Sequence, residues 1–418
     1  METYGKILVI AVPIFLLLVI IEKIYGYLKG EDTVPLMDAA SSLSSGITNA
    51  VKDVLQISIS IISYEWMVSK FSIFQLQSSV LAYIIAFIVI DFHGYWTHRI
   101  SHQVNFFWNK HAIHHSSEEF NLACALHQSI SSFVSVFTFL LIPAAILGVP
   151  AKVISIAMPI QLFAQFWYHT RHINKMGILE KILVTPSHHR VHHAINKVYM
   201  DKNLSQIFIF WDKLFGTFQE ELKSDLPVYG ITRPAETWNP IRINFQHLWL
   251  LVKDAWHANS WKDKLLIWIK PTGWRPIGFE EKYPVNKITD VYSFKKFGYQ
   301  TTRLFNYWII FQLVITILFA LYFFNNIASI GFPMFFVYAA FIFITIFSYT
   351  ELMDRNKFAF LWELLRLFFG LGIMYFTNDW FGIKSISSNI IIAIVFYLFI
   401  SAIITLYFSK KNTVQILA

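Results

Sequence analysis

The sequence contains a single cysteine, Cys124, among 418 residues. One thiol excludes an internal disulfide framework, a thiolate zinc site and an iron–sulfur cluster held by this chain. Charged residues are also scarce, because Asp, Glu, Lys and Arg together make up 14% of the chain, whereas 56% of it is hydrophobic. This balance is typical of an integral membrane protein and excludes an ordinary soluble globule.

Several cofactor and catalytic motifs are missing as well. The chain has no HExxH zinc-protease pattern, no glycine-rich dinucleotide loop and no His-Pro-Gly-Gly haem motif. Any electrons that its chemistry needs must therefore come from outside the chain. The net charge of +8 is interpreted through loop topology, so nucleic acid is not expected as a partner.

Long apolar segments dominate what is present. About 20 apolar residues in helical form cross a bilayer core of roughly 30 Å. The first segment, 7–24, lacks a small-residue cleavage site and is interpreted as a transmembrane helix. We expect an all-α, polytopic integral membrane protein with about nine transmembrane helices, near 7–24, 47–68, 80–97, 130–149, 153–170, 303–324, 331–350, 358–377 and 386–408. Between 130–149 and 153–170, the Gly148-Val-Pro150 stretch predicts a tight turn.

The composition along the chain predicts four regions. They are an N-terminal transmembrane region (1–78), a catalytic domain (79–220), a cytoplasmic or interfacial segment (221–300) and a C-terminal four-helix transmembrane region (301–418). The 171–300 segment is rich in Lys and Arg and should face the cytoplasm. Counting spans places every histidine motif on that side. The high Ile, Phe, Lys and Asn content favours a bacterial inner membrane, with the endoplasmic reticulum as the alternative in a eukaryote.

Histidine is concentrated in one part of the chain, because 13 of the 15 histidines lie between residues 91 and 193. Neutral imidazole is a ligand for iron, zinc, copper and nickel, whereas an unpartnered buried imidazole is costly. The histidines form one HxxxH and two HxxHH motifs, at His98 and His102, at His111, His114 and His115, and at His189, His192 and His193. This pattern predicts a metal site.

Helical geometry selects among these histidines. At about 100° per residue, His98 and His102 lie about 40° apart on a helix, and Tyr95 and Asp91 extend the same face. His93 falls on the opposite side and is not expected to be a ligand. We also expect His127 not to bind metal, and we interpret His247 and His257 as interfacial side chains.

Eight clustered histidines are too many for one ion of ordinary coordination number but fit two. Nearby carboxylates can offset the charge of two cations without binding them, and these are Asp91, Glu118, Glu119, Asp201 and Asp212. Redox chemistry at two irons beside a lipid-accessible pocket is favoured, although the residues alone do not choose iron over zinc. A metal transporter and an inactive metal-bound scaffold remain alternatives from other classes of protein.

The motifs and their flanks resemble the fatty acid hydroxylase/sterol desaturase superfamily of membrane di-iron oxygenases. The flanking segments are YWTHR at 95–99 and WDKLFGTF at 211–218. The resemblance is greatest to the alkylglycerol monooxygenase branch, through HHSSEEFN, TPSHHRVHH, DKN and VYGITRP at 114–121, 185–193, 201–203 and 228–234. Gln103 departs from that branch, which tends to carry an acid after the HxxxH motif.

The resemblance implies two iron ions, Fe2+/Fe3+, that activate O2 and hydroxylate a C–H bond of a lipid. In the alkylglycerol branch the oxidised carbon adjoins an ether oxygen, and tetrahydrobiopterin supplies the electrons. Other members use cytochrome b5 or ferredoxin-type donors, and a sterol or fatty-acyl hydroxylase or desaturase is the alternative within the superfamily. The implied metal ligands are His98, His102, His111, His114, His115, His169, His189, His192 and His193.

A second set of residues is predicted to support these ligands or to face the substrate without binding metal. Asp91 and Tyr95 belong to it because they share the helix face of the first motif, and Asp91 lies in an otherwise apolar helix. The complete set is Asp91, Tyr95, His172, His188, Asn203 and Asp212. No separate catalytic acid or base is assigned.

Overall fold

The computed structural model describes residues 1–416, with side chains as far as residue 411, and is 63% helical. The N-terminal half contains α1 Glu2–Leu28, α2 Leu36–Val54, α3 Tyr64–Phe71, α4 Val80–Gln103, α5 Asn105–His115, α6 Ile142–Ile146, α7 Ala151–Phe163, α8 Pro186–His192 and α9 Phe210–Phe215. The remainder contains α10 Pro240–His257, α11 Trp261–Ile269, α12 Phe279–Lys282, α13 Arg303–Ile330, α14 Met334–Met353, α15 Ala359–Thr377 and α16 Ser388–Ile416. The predicted all-α fold class is confirmed at this level.

Strands are confined to one short pair in the described part of the chain. β1 (Ile59–Ser60) and β2 (Val134–Ser135) are parallel, with Ile59 opposite Val134 and Ser60 opposite Ser135. Single 3-10 turns complete the regular structure, at Cys124–Leu126, Phe137–Leu141, Gly177–Lys181 and Ile383–Ser385.

Six helices within residues 1–416 are long and apolar enough to cross a membrane: α1, α4, α13, α14, α15 and α16. They correspond to six of the predicted spans. The prediction of about nine is therefore not met, and the segments that differ are 47–68, 130–149 and 153–170.

These three segments are divided among shorter elements and pack only partly against protein, since Val51 and Val153 are buried whereas Ile59, Val134 and Ile160 are exposed. α2 ends at Val54, inside the first segment, and is followed by β1 and α3. The second segment is divided among β2, a 3-10 turn and the five-residue α6. α7 has only 13 residues, including Pro159. Hydropathy does not distinguish burial against lipid from burial against a neighbouring helix, so hydropathy alone does not fix the number of spans.

The turn expected at Gly148-Val-Pro150 is present between α6 and α7. Gly148 has a φ of +71°, and a Cβ added there would lie 1.7 Å from the Phe74 carbonyl oxygen. Only glycine fits this position, because it combines a left-handed conformation with a close backbone approach. The turn directs α7 back along α4 toward the histidine motifs.

The N-terminal and C-terminal helices share one core. Val51 of α2, Ile309 and Phe323 of α13, Ile346 of α14 and Leu398 of α16 all belong to a single buried apolar cluster. α1 also crosses α13 closely, since a Cβ on Gly5 would lie 2.3 Å from the Phe324 carbonyl oxygen. The boundaries of the four predicted regions stay a prediction.

The basic loops and the histidine motifs lie at the same end of the helix bundle. Glu351, near the end of α14, accepts hydrogen bonds from Asn239 (2.8 Å) and Arg242 of the predicted cytoplasmic segment. Phe305 and Phe408, from the start of α13 and the last part of α16, pack edge to face with ring centroids 5.1 Å apart. That this end faces the cytoplasm remains a prediction.

Candidate metal centre

Five imidazoles from three helices meet at the end of the bundle. His98 and His102 come from α4, His111 and His115 from α5, and His192 from α8. The Nε2 atoms of His98 and His111 lie 2.8 Å apart, and those of His111 and His115 lie 3.0 Å apart. One nitrogen from each of the five rings falls within 4.8 Å of the others. We call these residues the five-histidine group.

Four further imidazoles form a second cluster beside the first, which we call the four-histidine group. It consists of His114, His169, His189 and His193, again with nitrogens within 4.8 Å of one another. The His189 Nε2 atom lies 2.9 Å from His169 Nε2 and 3.1 Å from His193 Nε2. All nine histidines that were predicted as ligands are therefore brought together, and their role as ligands remains a prediction.

Each HxxHH motif is divided between the two groups. His111 and His115, four residues apart, belong to the five-histidine group, whereas His114 belongs to the other. In the last motif His189 and His193 share the four-histidine group, and His192 lies in the five-histidine group. Residues at i and i+4 project about 40° apart on a helix and share a cluster, while the residue at i+3 points to the other side of the pair.

The imidazole nitrogens that point away from the clusters make the hydrogen bonds expected of metal-binding histidines. The Nδ1 atoms of His98, His192 and His169 donate to the carbonyl oxygens of Leu204 (2.7 Å), Lys202 (2.9 Å) and Gln165 (3.0 Å). A neutral ring that donates from Nδ1 keeps a bare lone pair on Nε2. Such lone pairs repel one another unless a cation lies between them, and outer hydrogen bonds of this type are usual for metal-bound histidine.

Other ring nitrogens are left without protein partners. Within the described part of the chain, His102 Nε2, His192 Nε2 and His189 Nδ1 are buried and have no hydrogen-bond partner. Burial and the neighbouring imidazoles hold the pKa of His111, His115 and His193 well below its usual range. Neutral rings with free lone pairs are the donor set that a divalent transition metal requires.

Asp91 and Tyr95 support the loop that follows the last motif. The Asp91 carboxylate accepts from the backbone amides of Ile207 (2.9 Å) and Phe208 (3.1 Å), from Trp211 Nε1 (2.9 Å) and from Gln161 (3.0 Å). Tyr95 contacts Thr217 and Arg99 through its hydroxyl, at 2.9 and 3.0 Å. A buried carboxylate with four donors is satisfied, so its position among apolar residues costs little.

Asp212 and Asn203 hold the same loop from its other side. Asp212 accepts from the amides of Leu204 (2.7 Å) and Ser205 (2.9 Å) and from the Thr217 hydroxyl (2.6 Å). Asn203, with a φ of +51°, donates to the carbonyls of His188 (3.1 Å) and Gln219 (2.7 Å). The Leu204 carbonyl oxygen accepts from His98, and the Leu204 amide donates to Asp212. Asp212 therefore positions the His98 ring indirectly, through the backbone of Leu204.

The remaining histidines lie outside both groups. His188 caps the start of α8, and His172 Nε2 lies 3.0 Å from the Thr33 hydroxyl with its ring against Tyr25. His247 Nε2 lies 3.0 Å from the Asn105 carbonyl oxygen, and His257 is exposed on α10. His127 is buried, and neither of its ring nitrogens has a hydrogen-bond partner among the described residues.

Three residues that the sequence analysis did not single out also support the site. Gln161 of α7 reaches Asp91, and Trp108 packs its ring against His102 and His115. Glu22, buried on α1, accepts from the Leu122 amide and the Thr170 hydroxyl, both at 2.6 Å. The sequence feature that could have identified Glu22 and Gln161 is a single acid or amide side chain inside an apolar helix.

The carboxylates expected to offset metal charge have different surroundings. Asp201 Oδ1 lies 3.1 Å from His102 Nδ1, beside the five-histidine group. Glu119 pairs instead with Arg171 (2.6 Å) and with Lys296, and Glu118 accepts from the Phe297 amide. Among these three, only Asp201 contacts a predicted ligand.

Two cavities border the histidines. The larger, of about 480 Å3, extends from Tyr4 and Leu8 on α1 to His98, His111 and His169, and its walls between are mainly apolar. We call it the alkyl cavity. The smaller, of about 170 Å3, reaches His102, His115 and His192 from the other side and includes Arg233 and Asp201. An apolar cavity of this size is suited to a lipid chain.

Comparison with known proteins agrees with this architecture. The sequence model of the family described as Fatty acid hydroxylase matches residues 83–217, which contain both histidine groups. Human alkylglycerol monooxygenase is 34% identical over 362 residues, covering 85% of this chain and 80% of that protein. The zebrafish (Danio rerio) alkylglycerol monooxygenase is 36% identical over 268 residues, covering 64% of this chain and 59% of that protein.

A bacterial relative is more distant. The ornithine lipid hydroxylase OlsE of Rhizobium tropici is 26% identical over 196 residues, covering 46% of this chain and 56% of that protein. No solved structure matches this chain. The identity to the human protein over most of both chains, together with the matched histidine region, shows that this chain belongs to the alkylglycerol monooxygenase family and is a membrane oxidoreductase of the lipid hydroxylase type.

Proposed function

We propose that the protein is a non-haem di-iron oxygenase that hydroxylates the carbon next to the ether oxygen of an alkylglycerol lipid. The observation that carries this proposal is the contact between the two histidine groups and one end of the alkyl cavity, which is lined by His98, His111, His114, His169 and His189. The similarity to alkylglycerol monooxygenases over 85% of the chain supports the choice of an ether lipid. Hydroxylation of a sterol or fatty-acyl chain is the alternative within the superfamily.

The two histidine groups would each hold one metal ion. The five-histidine group offers His98, His102, His111, His115 and His192, and the four-histidine group offers His114, His169, His189 and His193. Imidazole sets of this size suit iron of ordinary coordination number. When bound, the iron pair supplies the O2 activation that hydroxylation of an unactivated C–H bond requires.

The chain's own residues bind and orient the substrate. The alkyl cavity, of about 480 Å3, is bordered by α1 and α2, with Leu8, Leu16 and Leu43 among its apolar lining. A hydrocarbon chain bound there would have one end at His98 and His111. Burial of the alkyl chain contributes the binding energy, and this position selects which carbon is oxidised.

The overall reaction consumes O2, two electrons and two protons. One oxygen atom enters the C–H bond next to the ether oxygen, and the other leaves as water. The hemiacetal that results then collapses to an aldehyde and a glycerol derivative. The two electrons come from an external donor, for which we propose tetrahydrobiopterin on the strength of the family resemblance, with a cytochrome b5 or ferredoxin-type protein as the alternative.

We further propose that the histidine end of the bundle faces the cytoplasm of a bacterial inner membrane. The basic 171–300 segment lies at that end, and its Lys and Arg content supports a cytoplasmic position. In a eukaryotic cell the same argument would place the protein in the endoplasmic reticulum.

The test is metal content and lipid turnover measured on the same preparation. We expect elemental mass spectrometry of the detergent-purified protein to find two irons per chain, and His192→Ala to lower that number. With O2 and tetrahydrobiopterin, the wild-type protein should release aldehyde from an alkylglycerol. Zinc or no metal in an otherwise folded protein, with no aldehyde, would instead indicate a scaffold or a transporter.

A further inference from the structure

Two buried hydroxyl groups in the alkyl cavity have no partner. Thr97 Oγ1 and Ser205 Oγ make no hydrogen bond within residues 1–416, and the Ser205 side chain is 1% exposed. Both residues line the alkyl cavity. A buried hydroxyl without a partner destabilises the folded chain, so its retention points to a ligand that completes it.

The two hydroxyls lie at the histidine end of the cavity. Thr97 directly precedes His98 on α4, and Ser205 directly follows Leu204, whose carbonyl oxygen accepts from His98 Nδ1 at 2.7 Å. The Ser205 backbone is fixed by its amide, which donates to Asp212 at 2.9 Å. Both residues line the same cavity as His98; Thr97 adjoins His98 in sequence, and Ser205 adjoins the residue whose carbonyl oxygen accepts from His98.

A neighbouring hydroxyl shows the contrast. Ser101 is one turn along α4 from Thr97 and also lines the alkyl cavity, but its Oγ donates to the Thr97 carbonyl oxygen at 2.7 Å. Its hydrogen-bonding demand is met inside its own helix. Thr97 and Ser205 thus differ from Ser101 in having a hydroxyl with no hydrogen-bond partner among the described residues.

We propose that Thr97 and Ser205 donate hydrogen bonds to the ether oxygen of the substrate and thereby select ether lipids over all-carbon chains. This inference rests on the proposed function. In that reaction the ether oxygen is bonded to the carbon that is oxidised, so it must lie at the same depth of the cavity as His98. An ether oxygen accepts hydrogen bonds and donates none, which matches two free hydroxyl donors.

The proposed selectivity for ether lipids depends on whether the two hydroxyls find a hydrogen-bond acceptor in the bound lipid. A chain with a methylene in place of the ether oxygen would fill the cavity equally well but leave both hydroxyls without an acceptor. Sites that hydrogen-bond a substrate oxygen discriminate against analogues that lack it for this reason. The same contacts would fix the register of the chain, so that the carbon beside the oxygen is presented to the histidines.

The experiment measures binding of two lipids to the detergent-solubilised full chain, with its metal in place and no electron donor added, by thermal shift titration. One lipid is a hexadecyl alkylglycerol, and the other is its carba analogue, in which a methylene replaces the ether oxygen. We expect the wild-type protein to prefer the ether, and Ser205→Ala and Thr97→Val each to reduce that preference about five-fold. Without lipid, both variants should unfold at the wild-type temperature or above it, because no protein hydrogen bond is lost.

Two further variants separate recognition from packing. Thr97→Ser keeps the hydroxyl and should retain the preference even if Thr97→Val folds poorly. Ser101→Ala removes a hydroxyl that is already bonded and should leave the ratio of the two affinities unchanged. Equal affinity of the wild-type protein for both lipids, an unchanged ratio in Ser205→Ala and Thr97→Val, or an equal loss for both lipids would overturn the proposal.

The binding assay contains no electron donor, so its result is independent of turnover. Failure of the proposed function would be seen as absence of iron or of aldehyde release in the wild-type enzyme. Failure of this inference would be seen in an active enzyme whose variants keep the wild-type preference for the ether oxygen. In the active enzyme, the ratio of kcat/KM for the two lipids should change in the same direction as the affinity ratio.

Discussion

His169 and His172 are three residues apart, and the structure gives them different surroundings. The His169 ring lies in the four-histidine group, with its Nε2 atom 2.9 Å from that of His189. The His172 Nε2 atom contacts the Thr33 hydroxyl at 3.0 Å, and its ring packs on Tyr25 of α1. The residue after His169 turns the chain away from the cluster, because Thr170 is bonded to Glu22 on α1.

The first prediction compares these two histidines. We expect His169→Ala to lose metal from the four-histidine group, because one of its four imidazoles is removed, and His172→Ala to retain the wild-type content. Elemental mass spectrometry of both purified variants measures the difference. Equal metal loss in the two variants would contradict the assignment of His169.

Asp212 provides a prediction about a residue that touches no predicted ligand. Asp212→Asn removes the charge that holds the amides of Leu204 and Ser205, and thereby loosens the carbonyl that orients His98. We expect metal affinity to fall about 10–100-fold, as for other residues that orient a ligand. Competition with a chelator measures this, and Asp263→Asn on the exposed start of α11 is the matched control.

At the scale of elements, Glu351 of α14 helps to fasten the start of α10 to the C-terminal bundle. Glu351 is fully buried and accepts from Asn239 (2.8 Å), from two nitrogens of Arg242 and from Asn356. α10 in turn packs on α5, where Asn109 accepts from the Leu248 amide at 2.8 Å. The chain of contacts thus runs from the last four spans to the helix that carries His111 and His115.

We predict that Glu351→Gln destabilises the protein by about 1.5–3 kcal/mol, because hydrogen bonds to a charged group are lost and Arg242 keeps no carboxylate partner. Thermal unfolding in detergent measures the change. Glu280→Gln breaks a pair with Lys287 that is half exposed to solvent, and it should cost less than about 1 kcal/mol. A smaller effect for Glu351 than for Glu280 would show that α10 is held by other contacts.

At the scale of the whole molecule, an acidic cluster beside the histidine groups makes stability depend on pH. Burial raises the pKa of Asp38 to about 7, and Glu119 nearby acts in the same direction. Burial likewise raises the pKa of Glu118 to about 7. The folded state therefore prefers both groups protonated, and that stabilisation is present at low pH and lost as the pH rises toward 7.

Because stability falls as the pH rises toward 7, a prediction follows for Asp38→Asn. This variant keeps an acceptor for the Ser117 hydroxyl but cannot ionise. The variant should unfold at a higher temperature than the wild-type protein at about pH 8, and the gap should shrink at about pH 5. Thermal unfolding at the two pH values measures it. A gap that widens on acidification would reverse the sign assigned to Asp38.

Much of the site was predictable because local geometry controls it. The spacing of His98 and His102 on one helical face, and the apolar setting of Asp91, follow from the helical period alone. All nine predicted ligands lie in the two groups, and His93 is absent from both. The number of spans is not confirmed, since six helices within residues 1–416 are long and apolar enough to cross a membrane, whereas α2 and α7 pack in part against protein.

The sequence by itself determined the membrane character, the helical class and the identity of the clustered histidines, since composition and short-range spacing encode all three. Only the tertiary structure decided which motifs meet. His98 and His102 of α4 lie with His111 and His115 of α5 and with His192 of α8, whereas His169 lies with His114, His189 and His193. The packing of those helices is a long-range property, which no local period specifies. The same packing brings Thr97 and Ser205, 108 residues apart in sequence, to one cavity.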